Sequence, residues 1–206
     1  MSLDFIDKID KSVVILTTPR TGSTALCRVL SDKCNLIYFN EAFNPICKDS
    51  TDFWDYFNKD HKTIVKIFPN HQEYLTEDQF NSIIEKSFVI FLDRKDIVSQ
   101  ITSYHILGVT QKPWYIHNEI KEEYVVTEEN ILKSLVTLVE LKTQAEKYRQ
   151  LANVSLYYED ILDDIVNDHI KEYIKPINYM NIKNKVEQLL PNVLKLKTKH
   201  EYPVVK

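Results

Sequence analysis

The sequence predicts an α/β fold, a central parallel β-sheet flanked by helices. Three observations carry that expectation. Several short runs are apolar at every position, as in strands buried on both faces. Segments with helical apolar spacing lie between those runs, which is the alternation of a parallel α/β sheet. The chain has no repeat, no low-complexity stretch and no Gly/Ser linker, so its 206 residues read as a single domain over 1–206, with a helical C-terminal part from about 160.

The expected strands are Val13–Leu16, Ile37–Phe39, Ile64–Phe68, Phe88–Leu92 and Val154–Tyr157. After Gly22, the residues Leu26, Val29 and Leu30 recur at helical spacing. Thr76 and Gln79 form a capping box, followed by Phe80, Ile83 and Ile84 as an apolar stripe. Asp96 to Leu107 reads as a helix that Gly108 ends as its C-cap. A long helix is expected from about Glu128 to Leu151, with Thr127 as N-cap. Its inward face holds Leu135, Leu138, Leu141 or Lys142, Ala145 and Tyr148. Past Asp160 the pattern is helical and is broken by Pro176 and Pro191.

Composition narrows the function. Hydrophobic residues make up 44% of the chain, enough for a sizeable core. The formal charge of −4, with both signs mixed along the chain, argues against a nucleic-acid binder. No apolar run approaches the roughly 20 residues that span a bilayer. The N-terminus alternates charge with apolar residues and does not read as a signal peptide. Cys27, Cys34 and Cys47 form no C-x-x-C pair and read as thiols in a reducing cytosol. The six histidines are scattered, without metal spacing, so no metal site is expected.

The chemistry concentrates in TTPRTGST, Thr17 to Thr24, between the first strand and the first helix. Gly22 there is one of only two glycines in the chain. A strand–loop–helix junction aims free backbone N–H groups at whatever occupies the loop, which makes an anion site. Gly22 lets the backbone come close and take positive φ. Thr21, Ser23 and Thr24 add hydroxyls, and Arg20 adds a planar cation suited to phosphate or sulfate. The loop lacks the G-x-x-x-x-G-K-[ST] pattern, because Ser23 stands in the lysine's place.

TPRTGST followed by ALCRVL resembles the 5′-phosphosulfate loop of sulfotransferases that use 3′-phosphoadenosine 5′-phosphosulfate (PAPS). It is most similar to the trehalose sulfotransferase-like, carbohydrate-type branch. DRKDIVSQITSYH, Asp93 to His105, resembles that family's 3′-phosphate element, with matches at Arg94, Lys95, Asp96, Gln100, Ser103 and Tyr104. Proline does not follow Arg94 as in the widespread form, so the resemblance implies either Arg94 or Lys95 as the cation on the 3′-phosphate. GVTQKPW, Gly108 to Trp114, and LYYEDIL, Leu156 to Leu162, are weaker echoes. The resemblance spans Val13 to about Leu162. It implies a P-loop-containing nucleotide-binding fold and a single sulfotransferase-like domain. It also implies a cytoplasmic enzyme with PAPS as co-substrate and PAP as product, and with no metal. The acceptor would be a carbohydrate or other small molecule. The chain is short for the family, which leaves room for a small acceptor lid or one supplied by a second copy in a homodimer.

In that reading Glu41, in FNEAFNP after the second strand, is the general base, with its pKa raised by partial burial. His71 and His105 are the runners-up. Lys66 interrupts an apolar strand, which is costly without a partner. It points either at the transferring group or, along its own stem, at solvent. Arg20, Lys66 and Glu41 are the expected catalytic groups. Arg20, Thr21, Gly22, Ser23, Thr24, Arg94 and Ser103 are the expected nucleotide ligands. Trp54, Trp114 and Tyr115 lie in segments expected to flank the acceptor cleft and read equally as cleft or core aromatics, and Lys195, Lys197 and Lys199 read as a solvated basic tail. Two alternatives remain open. One is a P-loop kinase in which Thr24 and Asp93 help hold magnesium. The other is an inactive PAP-binding module.

Overall fold

The computed structural model describes residues 3–44, 50–110, 127–169 and 179–198. They cluster into two compact units. One lies within residues 1–95 and 141–171, the other within 96–140 and 172–206.

The first unit is built on a parallel sheet. Its strands are β1 (Ser12–Thr17), β2 (Ile37–Phe39), β3 (Thr63–Ile67), β4 (Ser87–Asp93) and β5 (Val154–Tyr157), in the order β2-β3-β1-β4-β5. All four pairings are parallel. The apolar runs therefore meet their expected fate. Alternate residues of β1 enter different cores because successive side chains leave opposite faces. Val13 and Ile15 pack with Leu26, Val29 and Leu30 of α1 (Ser23–Cys34) and Ile165 of α6 (Leu162–His169). Val14 and Leu16 join Phe53 and Phe57 of α2 (Ser50–Phe57) and Phe80 and Ile83 of α3 (Glu77–Lys86). The capping box holds as expected: Thr76 Oγ1 accepts from Gln79 N at 3.2 Å, and Gln79 Oε1 accepts from Thr76 N at 2.9 Å.

The second unit is helical. α4 (Ile97–Thr110), the early part of α5 (Glu128–Glu146) and α7 (Tyr179–Thr198) share a core of Ile101, Ile131, Leu135, Leu138, Val186 and Val193. Thr127 caps α5 as expected, its Oγ1 accepting from Asn130 N at 3.2 Å. Two stop signals fail. Gly108 lies inside α4 rather than capping it, and positive φ belongs to Gly22 alone of the two glycines. Pro191 lies inside α7, which runs through it. Leu190 and Val193 on either side are buried in the helical core, so packing outweighs the proline's local cost of about 3 kcal/mol. α5 also ends sooner than expected, at Glu146, and a 3₁₀ turn at Arg149–Leu151 follows. Pro176 lies outside the described residues. No helix among them is long and apolar enough to cross a membrane.

The parallel sheet, its first strand at the centre and leading through a loop into α1, is a P-loop-containing nucleotide-binding fold. β1 leads leftward to β2 and β3, and β4 lies on its other side, so β1 sits at the switch point where such sheets bind ligands.

Candidate anion-binding site at the head of the sheet

The register decides which side chains reach the loop. β1 lies between β3 and β4, with Ile15 opposite Lys66 and Thr17 opposite Leu92. The ends of β3 and β4 therefore flank the loop that leaves β1, and bring Lys66, Asp93 and Arg94 to the same edge.

The loop is tied down from below. Thr17 Oγ1 donates to the Leu92 carbonyl at 2.7 Å and lies 2.6 Å from Thr21 Oγ1. Thr21 Oγ1 also reaches the Thr18 carbonyl at 3.1 Å. Thr21 is fully buried, and its hydroxyl serves the loop's own shape. Two residues adopt left-handed backbone: Arg20 at φ 66° and Gly22 at φ 80°. For arginine this region is costly, and such strain gathers at functional sites. Gly22 has a second reason to be glycine. A Cβ there would stand 2.3 Å from Cδ2 of Tyr158, whose ring lies against the loop.

Gly22 is the N-cap of α1 and has no side chain to cap with. Ala25 and Leu26 donate to the Gly22 carbonyl at 3.0 and 3.1 Å. The N–H groups of Gly22, Ser23 and Thr24 make no hydrogen bond among the described residues. Such a group of donors at a helix start, next to left-handed residues, forms a concavity for an anion.

Lys66 supplies the cation that the loop sequence lacks. It is 3% exposed, and its Nζ donates to Thr24 Oγ1 at 2.8 Å and meets Glu41 Oε1 at 3.1 Å. The ammonium therefore does not run out to solvent but lies against Thr24 and Glu41. Glu41 Oε2 accepts from Asn44 Nδ2 at 2.8 Å. The expectation of a raised Glu41 pKa is overturned. Burial does push its carboxyl up, but the Lys66 charge and the bonds from Asn44 and Lys66 outweigh burial and hold it below the ordinary range. His71 is buried beside the pair, tilted against the Phe68 ring, and burial pushes it down to about 4.

Asp93, at the end of β4, is claimed by basic groups. One carboxylate oxygen receives Lys142 Nζ and, at 2.8 Å, the Arg94 N–H. The other lies 3.6 Å from Arg149. Arg94 turns back to the loop, with Nη1 donating to the Arg20 carbonyl at 3.1 Å and its guanidinium 4.9 Å from the centre of the Tyr158 ring. Lys95 turns away to Asp160 at 2.5 Å, over Tyr157.

The first unit thus brings Arg20, Thr21, Gly22, Ser23, Thr24, Glu41, Lys66 and Arg94 to one edge. Ser103 is buried in α4 of the second unit, as is His105, whose Nδ1 lies 3.0 Å from Ser134 Oγ. Trp54 packs among Phe43, Phe53 and Phe57 in the sheet's aromatic core. Trp114, Tyr115, Cys47 and Lys199 lie outside the described residues. Asn44 and Tyr158 join the site without having been singled out. Tyr158 stood in LYYEDIL, but only the contact with Gly22 gives it a part.

No protein-family model matches the chain, and no curated protein matches it significantly. Among solved structures the chain is similar to a gluconokinase from Sinorhizobium meliloti 1021, at 10% identity and a TM-score of 0.41. The match covers 94% of this chain and 99% of that one. A likeness at that level carries no argument about function.

Proposed function

We propose that the chain is a PAPS-dependent sulfotransferase, working as one sulfotransferase-like domain on a hydroxyl of a carbohydrate or other small molecule. One observation carries the choice between sulfuryl transfer and a magnesium-dependent kinase. Both groups that would help hold magnesium in a P-loop kinase already take ammonium groups. Thr24 Oγ1 receives Lys66, and the Asp93 carboxylate receives Lys142. A divalent cation would have to displace two lysines, whereas sulfuryl transfer needs only fixed protein cations.

In this reading the N–H groups of Gly22, Ser23 and Thr24 hold the 5′-phosphate together with Arg20. The family resemblance leaves the 3′-phosphate to either Arg94 or Lys95, with Ser103. The acceptor oxygen attacks sulfur in line with the bridging oxygen, as in phosphoryl transfer. A sulfur–oxygen bond forms to the acceptor and the bond to the bridging oxygen breaks. PAP leaves with the electron pair, and the acceptor proton passes to Glu41. Lys66 stabilises the charge that grows on the bridging oxygen. As its ammonium is drawn to that charge, it leaves Glu41 without its counter-ion. Burial, the strongest influence on Glu41, then raises its proton affinity when a base is needed.

The test is turnover of PAPS to PAP against a panel of sugars and phenols in a metal-chelating buffer. Transfer that survives chelation and disappears in Glu41→Gln supports the proposal. Phosphoryl transfer from ATP that requires magnesium, with no use of PAPS, refutes it in favour of the kinase. Tight PAP binding without transfer to any acceptor leaves the inactive binding module.

A further inference from the structure

We propose that Arg94 is a positioning residue that works with Tyr158 to hold the anion loop in its binding conformation, rather than a ligand of the nucleotide's 3′-phosphate. The inference rests on reading the loop as an anion site, but not on sulfuryl transfer.

Arg94 is held on two sides. Nη1 donates to the Arg20 carbonyl at 3.1 Å and the guanidinium lies 4.9 Å from the Tyr158 ring centre, while the buried Nε makes no hydrogen bond and has Glu159 Oε1 3.7 Å away as its nearest charge. Its side chain is only 19% exposed. Glu159 is itself fixed, because its Oε2 accepts from the Lys95 N–H at 2.9 Å. The other face of the problem is the loop. Arg20 sits at φ 66°, where a non-glycine residue stays only if its surroundings hold it. A trans peptide points its carbonyl and the next N–H in opposite directions. Holding the Arg20 carbonyl toward Arg94 therefore aims the Thr21 N–H away from it. Tyr158 completes the arrangement by lying so close to Gly22 that a Cβ there would overlap its ring. The stack of guanidinium, ring and glycine thus fixes the two left-handed residues that shape the donors.

The experiment is calorimetry with three probes: pyrophosphate, 5′-AMP and adenosine 3′,5′-bisphosphate. The proteins are wild type, Arg94→Met, Arg94→Lys, Tyr158→Phe and Tyr158→Leu, with circular dichroism to confirm folding. Arg94→Met should weaken all three probes by one common factor, on the order of tenfold for a lost charge-assisted hydrogen bond. Lysine should not restore binding, because it lacks the planar fork and stacking face. Tyr158→Leu should weaken all three probes, and Tyr158→Phe, which keeps the ring, should weaken them less. That tyrosine pair decides the matter if Arg94→Met does not fold. A loss confined to the bisphosphate, rescue by lysine, or unchanged binding in Tyr158→Leu would overturn the proposal. So would a wild-type protein that binds no pyrophosphate. Pyrophosphate binding without bisphosphate binding would sink the sulfotransferase reading alone, and the pyrophosphate series would still decide the role of Arg94.

Discussion

Gly22 is fixed by backbone and by neighbour together. Its φ of 80° costs an L-residue about 1–2 kcal/mol, and the Tyr158 ring occupies the space of a side chain. Gly22→Ala should therefore lower the unfolding temperature and remove anion binding. Gly22→Ala with Tyr158→Leu should recover part of the stability, which thermal unfolding of both variants would show. Glu41 and Lys66 make a sharper case. The folded Glu41 carboxyl titrates below its ordinary value of 4.5. The pair's contribution to stability is therefore complete above that pH, and is lost as acid carries the pH through the lower folded value. In Lys66→Met the largest opposing influence disappears and burial prevails. The acid limb of the pH–rate profile should then move to higher pH, and an unmoved limb would show that Glu41 is not the titrating base. Lys66 could be noticed in the sequence, because a lysine within TIVKIFP needs a partner. Its partner could not, because Thr24 lies 42 positions earlier and only the sheet register joins them. The Lys66–Glu41 ion pair is unread for the same reason, and it is why the pKa of Glu41 was expected in the wrong direction.

At the scale of elements, the sheet was legible because its strands are buried on both faces and so carry no polar alternation to confuse them. Caps written in local chemistry, at Thr76 and Thr127, were legible for the same reason: donor and acceptor lie three residues apart. The helix ends at Gly108 and Pro191 were not. Both are local stop signals overruled by packing of the helical core around Ile106, Leu190 and Val193. Gly108 gives a direct check. It is helical, and a Cβ there would meet nothing within 4 Å. Gly108→Ala should therefore stabilise the protein by about 0.5–1 kcal/mol. A left-handed C-cap at this position would give destabilisation instead. Denaturant unfolding, followed through the midpoint, distinguishes the two.

For the whole molecule, composition pointed away from nucleic acid and left room for a local basic site. The parallel topology makes such a site by bringing Lys66 and Arg94, from the strands on either side of β1, to one loop. The net charge of −4 makes that concentration of cations a local feature rather than a property of the surface. The family resemblance supplied the nucleotide, and the geometry adds an ammonium where a P-loop kinase would need magnesium. The most direct measurement is calorimetric titration of wild type and Lys66→Met with adenosine 3′,5′-bisphosphate and with ATP, each with magnesium and with a chelator. The bisphosphate should bind more tightly than ATP, magnesium should make no difference, and Lys66→Met should weaken binding. ATP binding that appears only with magnesium, with no affinity for the bisphosphate, would contradict the sulfotransferase reading.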